Sequence, residues 1–173
     1  MKERTKIGQF MYDLTYSTSE KLMKNRKLLV ALNYTWGILV TLAGWIAYAF
    51  CMLFLKKKVV RVEKFAHERI VIIGNNWGGM NLGMVSFVAD KMGDSWTQHT
   101  RCHETGHSFQ NAIFGPLHIF IVCIPSVIRY WYRDWYTKKH KQDIDFHLPE
   151  YDLIWFEGAA TDVGLDYDDL YNF

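Results

Sequence analysis

The 173-residue chain has almost no net charge, since 20 Lys and Arg stand against 18 Asp and Glu. So small an excess gives no reason to expect a nucleic-acid partner. Its three cysteines, at positions 51, 102 and 123, form neither a disulfide framework nor a paired C-x-x-C metal site. Internal repeats and low-complexity linkers are absent, and the length leaves room for one domain rather than two. The glycines do not form G-x-G-x-x-G between a strand and a helix, so a dinucleotide site is not supported. Half of the residues are apolar and 16% are aromatic. That excludes a disordered or collagen-like chain, because enough apolar surface is present to offset the entropy of ordering.

Charge is missing altogether from one stretch. Residues 28–55 read LLVALNYTWGILVTLAGWIAYAFCMLFL, with Asn33 the most polar side chain among them. As a helix the run would be about 42 Å long, against a hydrocarbon core of roughly 30 Å. It predicts a transmembrane helix over 28–55, after a basic segment 1–27 and before Lys56-Lys57-Lys58, and hence an integral membrane protein. A cleaved signal peptide would be shorter, start earlier and end in small residues. Gly37 and Gly44, seven apart, lie nearly on one face where a second copy of the helix could approach closely. Seven Lys and Arg precede the run and six follow it within residues 56–71, so the positive-inside rule does not choose an orientation.

The rest reads as α+β and mainly helical. Ser17-Thr18-Ser19-Glu20 has the S-x-x-E pattern of a helix start ahead of the span. Residues 59–62 and 70–73 are short and β-branched, as strands are, and 84–88 predicts another that pairs with 70–73. Between them, 74–83 is a turn-rich stretch with four glycines. Asp94 or Ser95 caps a helix over 96–114, which Gly115-Pro116 ends. A second apolar run, 117–132, contains Pro125 and Arg129. A last helix is expected over 149–165, before an acidic tail.

The chemistry is concentrated in His103-Glu104-Thr105-Gly106-His107, an H-E-x-x-H inside the capped helix. Two histidines four apart lie about 40° apart on one helix face and can chelate one ion. Glu104 is one step round, placed to polarise a metal-bound water without being a ligand. Zinc suits imidazole donors and, with three protein ligands, keeps a position open for water. Glu157, alone among apolar and small residues, is the best candidate for the third ligand, because an unpaired carboxylate there would be costly to bury. His147, Glu150 and Asp152 compete with it from a more polar stretch. Thr161 or Asp162, one turn on, could hold the outer nitrogen of a ligating histidine. His67, His118 and His140 read as surface or interfacial residues.

H-E-T-G-H followed fifty residues later by E-G-x-A-T resembles the gluzincin branch of zinc metallopeptidases. The longer string HETGHSFQNAIFGPLHIFIVCIPSVIRYWY is similar to a group of small bacterial membrane proteins carrying H-E-x-G-H. The resemblance covers residues 70–164 and implies a minimal zincin-like domain over 56–173, with Zn2+ on His103, His107 and Glu157 and Glu104 as general base. Gluzincins often place Asp four residues after the ligand Glu; here that residue is Thr161, with Asp162 one later. In such peptidases an extended substrate pairs with an exposed strand above the metal, a part open to 70–73 or 84–88, with residues 75–79 shaping the cleft wall. His147, Tyr151 and His99 have suitable chemistry for the oxyanion.

Residues 117–132 would span only about 24 Å as a helix. A full crossing would also start the histidines and Glu157 on opposite faces of the bilayer. The segment 117–136 is therefore expected to be re-entrant or interfacial, with Trp131 and Trp135 at headgroup level and Arg129, Arg133, Lys138 and Lys139 facing phosphates. The function expected is a membrane-anchored zinc hydrolase, first a peptidase acting on a peptide or protein, where Glu104 takes the proton of a zinc-acidified water. The alternative is a non-catalytic membrane interaction or accessory protein with a structural metal or none. A fourth protein ligand, such as Cys102 or His147, would favour it.

Overall fold

The computed structural model describes residues 4–75, 77–90, 93–141, 148 and 150–171. The chain is mainly helical around one small sheet. Helix α1 (Lys6–Met23) begins well before Ser17, because Thr5 is the cap, its Oγ1 accepting from the Gly8 N–H at 3.1 Å. The expected start at Ser17 is therefore interior to α1. Tyr12 and Tyr16, one turn apart, donate to Asp162 and Asp166 and so fasten α1 along the last helix, α6 (Trp155–Tyr171).

The uncharged run does not form one helix. It divides into α2 (Arg26–Tyr34) and α3 (Ile38–Phe54), bent by 82° at residues 35–37. The reason is polar. Asn33 is fully buried and its Nδ2 donates to the Leu29 and Ser108 carbonyls, both at 3.1 Å. At the bend Asn111 donates to the Gly37 carbonyl (3.1 Å) and the Trp36 indole donates to the Ile113 carbonyl (3.3 Å). Among the described residues no single helix is long and apolar enough to cross a membrane. Two bent pairs reach that length and hydropathy only together: α2 with α3, and Asp94–Leu117 with Ile119–His140 at 117°. The expected Gly37/Gly44 face is filled from within the chain, by Asn111 and by the Leu82 backbone.

The sheet has strand order β1 (Val59–Phe65), β2 (Glu68–Ile73), β4 (Val85–Ala89), β3 (Gly79–Leu82). The expected pairing of β2 with β4 is present and parallel, while β1–β2 and β3–β4 are antiparallel. Every residue of β4 is buried, because the sheet is covered on both faces. Ile70, Ile72 and Val88 face a core with Phe109, Val163 and Tyr167, and Val71, Val85 and Phe87 face Trp45, Tyr48 and Cys51 of α3. The strand in the expected turn region, β3, lies at one edge of the sheet, with β1 at the other. The interior strands β2 and β4, expected as candidates for substrate pairing, have no free edge.

Helix α4 (Asp94–Phe114) runs through the centre, and Gly115 (φ +53°) ends it as its sequence predicts. A 3-10 turn at Gly115–Leu117 and a π-helical turn at Ile119–Cys123 lead into α5 (Ile124–His140). Pro125 sits in the first turn of α5 and has no N–H to offer the preceding turn, which widens. Helix α6 starts later than expected and absorbs the acidic tail as far as Tyr171.

Helices α4 and α6 touch backbone to backbone. A Cβ at Gly106 would lie 1.9 Å from the Ala160 carbonyl oxygen, and one at Gly164 would lie 1.8 Å from that of Cys102. These glycines set the helix separation. Gly106→Ala is expected to force the helices apart at a cost of about 1–3 kcal/mol, the range for overpacking. Thermal denaturation of the metal-free protein should show a melting temperature lower by several degrees. An unchanged value would mean that the helices are not held this close.

Candidate metal centre

His103 and His107 project from α4 toward Glu157 in the first turn of α6. Glu157 Oε2 lies 3.2 Å from His103 Nε2 and 3.3 Å from His107 Nε2, and the two nitrogens are 3.2 Å apart. Ligands about 2.0 Å from a tetrahedral ion are separated by about 3.3 Å, so the triangle has the edge lengths of such a site. The three residues are the group able to hold a metal ion among the described residues.

The tautomers can be read from the hydrogen bonds. Thr161 Oγ1 donates to Asp152 Oδ1 (3.0 Å), so it accepts from His103 Nδ1 at 2.8 Å. Gln110 Nε2 donates to the Phe156 carbonyl (2.6 Å), which turns its Oε1 to accept from His107 Nδ1 at 2.8 Å. Both histidines carry Nδ1 protons, so in their neutral forms both Nε2 atoms present lone pairs to one point. Glu157 is fully buried, Ser126 donates to its Oε1 at 2.7 Å, and Oε2 faces the same point without a hydrogen-bond donor. Three acceptors converge and a cation is the missing partner.

Of the expected supporting residues, Thr161 is in place against His103. Asp162 is not, because it faces α1 and accepts from Tyr12. Asp152, considered as a ligand, orients Thr161 instead, and Glu150 is exposed with its carbonyl bound by Arg129. His147 lies outside the described residues. Cys102 is buried near Asp168, its thiol pushed up to about 12 chiefly by burial, and it is not in the ligand group. Ser126 and Gln110 were not foreseen. Gln110, three residues after His107 on the same helix, was within reach of the sequence argument, whereas Ser126 needed the path of α5.

A cavity of about 670 Å³ opens at the triangle, walled by Glu104, His118 and Tyr151 and by the free edge of β3. Glu104 is buried beneath that edge, so close that a Cβ at Gly79 would lie 2.3 Å from its Oε1, and the Asn81 backbone N–H bonds its carboxylate. Burial raises the Glu104 pKa, against the two histidines, which lower it. Behind β3 a fully packed knot fixes the strand: Ser86 Oγ (2.7 Å) and Asn81 Nδ2 (3.0 Å) both donate to Glu68 Oε2, and burial pushes Glu68 up to about 8. Burial holds the His118 imidazole down near 3. Burial and the Glu157 charge push the Tyr151 phenol upward. No family model, curated protein or solved structure matches this chain.

In the metal-free protein, burial opposes charging of His107, but the Glu157 carboxylate outweighs it and raises the imidazole to about 9. Glu157 itself is held well below the ordinary carboxylate range by the two histidines, although burial acts the other way. At pH 7 an entering ion therefore displaces a proton from His107. Metal affinity should rise with pH up to about 9 and level off above it. Calorimetric titrations in buffers of different ionisation enthalpy should give about one proton released per ion at pH 7. No release would show that His107 is neutral there.

Proposed function

We propose that the chain is a zinc-dependent hydrolase of the gluzincin type, a peptidase held at a membrane. The observation that carries this reading is the triangle of three acceptors, open to a cavity, with a buried carboxylate one residue along the same helix. Two imidazoles and one carboxylate suit zinc, and three protein ligands leave a coordination position free. When bound, zinc supplies a Lewis acid and lowers the pKa of water.

The chain's own residues do the rest. Glu104, its pKa raised by burial, takes a proton from the attacking water and delivers it to the leaving amine nitrogen. The Tyr151 phenol stays protonated and donates to the developing oxyanion. The edge of β3 receives the substrate as an added strand, and Gly79, having no Cβ, lets the Glu104 carboxylate lie directly against that edge. Thr161, Gln110 and Ser126 hold the ligands in register.

Membrane attachment rests on two apolar stripes. On α3 the exposed Leu39, Leu42, Ile46, Phe50 and Leu53 recur at helical spacing on the side away from the sheet. The π turn and α5 expose Phe120, Ile124, Val127, Ile128, Trp131 and Trp135 in the same way. Lys56, Lys57 and Lys58 follow the first stripe, and Lys138 and Lys139 end the second, as expected where apolar faces enter a lipid surface. This is attachment by faces rather than by a spanning helix.

Three measurements test the proposal. Elemental analysis of detergent-purified protein should find one zinc per chain in wild type and Glu104→Gln, and much less in Glu157→Ala. With a panel of internally quenched peptides, Glu104→Gln should be slower by about 10²- to 10⁴-fold, the usual contribution of a general base. A variant as active as wild type would sink the mechanism. In flotation with vesicles containing phosphatidylglycerol, wild type should rise with the lipid and the double variant Ile46→Asp, Ile128→Asp should rise much less. Equal flotation would remove the two stripes as the anchor.

A further inference from the structure

Among the described residues, His118 is the histidine on the cavity wall whose hydrogen bonds fix its tautomer without involving the metal triangle. It is 1% exposed, lines the cavity, and its Nε2 has no hydrogen-bond partner. The other ring nitrogen is read through a chain of amides. Asn33 Nδ2 donates to two backbone carbonyls, so Asn33 Oδ1 is the atom that accepts from Asn111 Nδ2 at 2.7 Å. Asn111 Nδ2 also donates to the Gly37 carbonyl at 3.1 Å. The remaining atom, Asn111 Oδ1, only accepts, and it lies 3.5 Å from His118 Nδ1. The proton of the neutral ring is therefore on Nδ1, and Nε2 is a bare lone pair.

An unpaired acceptor buried on a cavity wall is a cost unless a donor arrives. Nε2 is not in the group that can share the ion, so the donor is not replaced by the metal. We propose that His118 Nε2 accepts an N–H of the bound substrate and selects substrates with an amide N–H over esters or other acyl compounds that lack one. The inference rests on the hydrolase reading and deepens it. The β3 edge in the cavity wall offers a peptide backbone both donors and acceptors, and His118 in the same wall offers a fixed acceptor. His118 is then a specificity-determining residue.

The test separates its own failure from that of the hydrolase reading. Long-range proton–nitrogen correlation spectra of the full metal-free chain in detergent should show His118 Nε2 as an unprotonated nitrogen. A proton on Nε2 would overturn the proposal whatever the activity. The zinc-loaded chain is then titrated with a dipeptidyl hydroxamate and with forms N-methylated at each amide in turn. One methylation should weaken binding to wild type by roughly 10- to 100-fold, the loss expected when a buried polar group is stranded. His118→Asn keeps a donor toward Asn111 but is too short to leave an acceptor where Nε2 stood. It should bind the parent compound more weakly by a similar factor and show no further loss on that methylation. His118→Gln, which can place an oxygen where Nε2 stood, should recover part of the loss. Additive effects of variant and methylation, or zinc lost from His118→Asn, would overturn the proposal. Wild type that holds no zinc would overturn the hydrolase reading first, and this one with it.

Discussion

Three acceptor atoms pointed at one another in a dry interior are an unfavourable arrangement unless a cation lies among them, and much of this fold serves to hold that arrangement. Stranding a buried carboxylate costs several kcal/mol, so Glu157 would not stay beside two imidazole lone pairs by packing alone. In the metal-free state a proton on His107 fills the gap, which is why its imidazole is raised and Glu157 is lowered. A proton and a metal ion are alternative occupants of one electrostatic need. The close contact of α4 and α6 through Gly106 and Gly164 creates that need by bringing Glu157 to the histidines. Thr161, Gln110 and Ser126 then prevent the three groups from turning away.

The apolar run of residues 28–55 is shaped by a second polar cluster. Asn33 and Asn111 are fully buried, and their amides satisfy one another and the carbonyls left open where α2 gives way to α3. Thr41 Oγ1 joins by donating to the Asn33 carbonyl at 2.9 Å. The break after α4 meets the same place, since a Cβ at Gly115 would lie 2.3 Å from the Trp36 indole nitrogen. Two bends are thus locked elbow to elbow, beside the centre rather than remote from it. Each bend turns one side of an apolar helix inward while the other side stays exposed.

The motif helix was legible in the sequence because its signals are local: a helical spacing of two histidines, and a Gly-Pro stop. Strands β1, β2 and β4 were legible from their β-branched runs. What failed depended on distant partners. An uncharged run reads as a continuous helix until Asn111, far along the chain, supplies donors at the bend. Edge strand β3 is short and glycine-bearing, so it reads as a turn, and only its pairing with β4 makes it a strand. Asp162 had the right spacing but lies on the α1 side of α6, where a tyrosine claims it. His118 had no local signature at all. It follows a Gly-Pro break, and its role depends on Asn111 one side of that break and on the cavity beyond it.

Three carboxyl groups stand in and behind the cleft, and their surroundings drive them to different states. Glu157 is kept ionised by two imidazoles, as a ligand must be. Glu104 has burial against its charged form and two histidines in favour of it, and burial prevails, lifting it above the ordinary carboxylate value. Glu68, with burial as the largest influence, is pushed to about 8 and so holds its proton at neutral pH. That protonation matters to the others. An ionised Glu68 would add a second negative charge behind the strand that covers Glu104, where repulsion is poorly screened. As a neutral acid it can accept from Ser86 and Asn81 and fix β3 without that penalty. Folding thus favours the protonated form of Glu68, and the stability this contributes is full below its ordinary pKa and lost as pH rises through about 8. The edge strand is best held in the range where Glu68 is neutral and Glu157 is charged, and the separation of these carboxyls along the pH scale is what lets both stay buried within the field of Glu104.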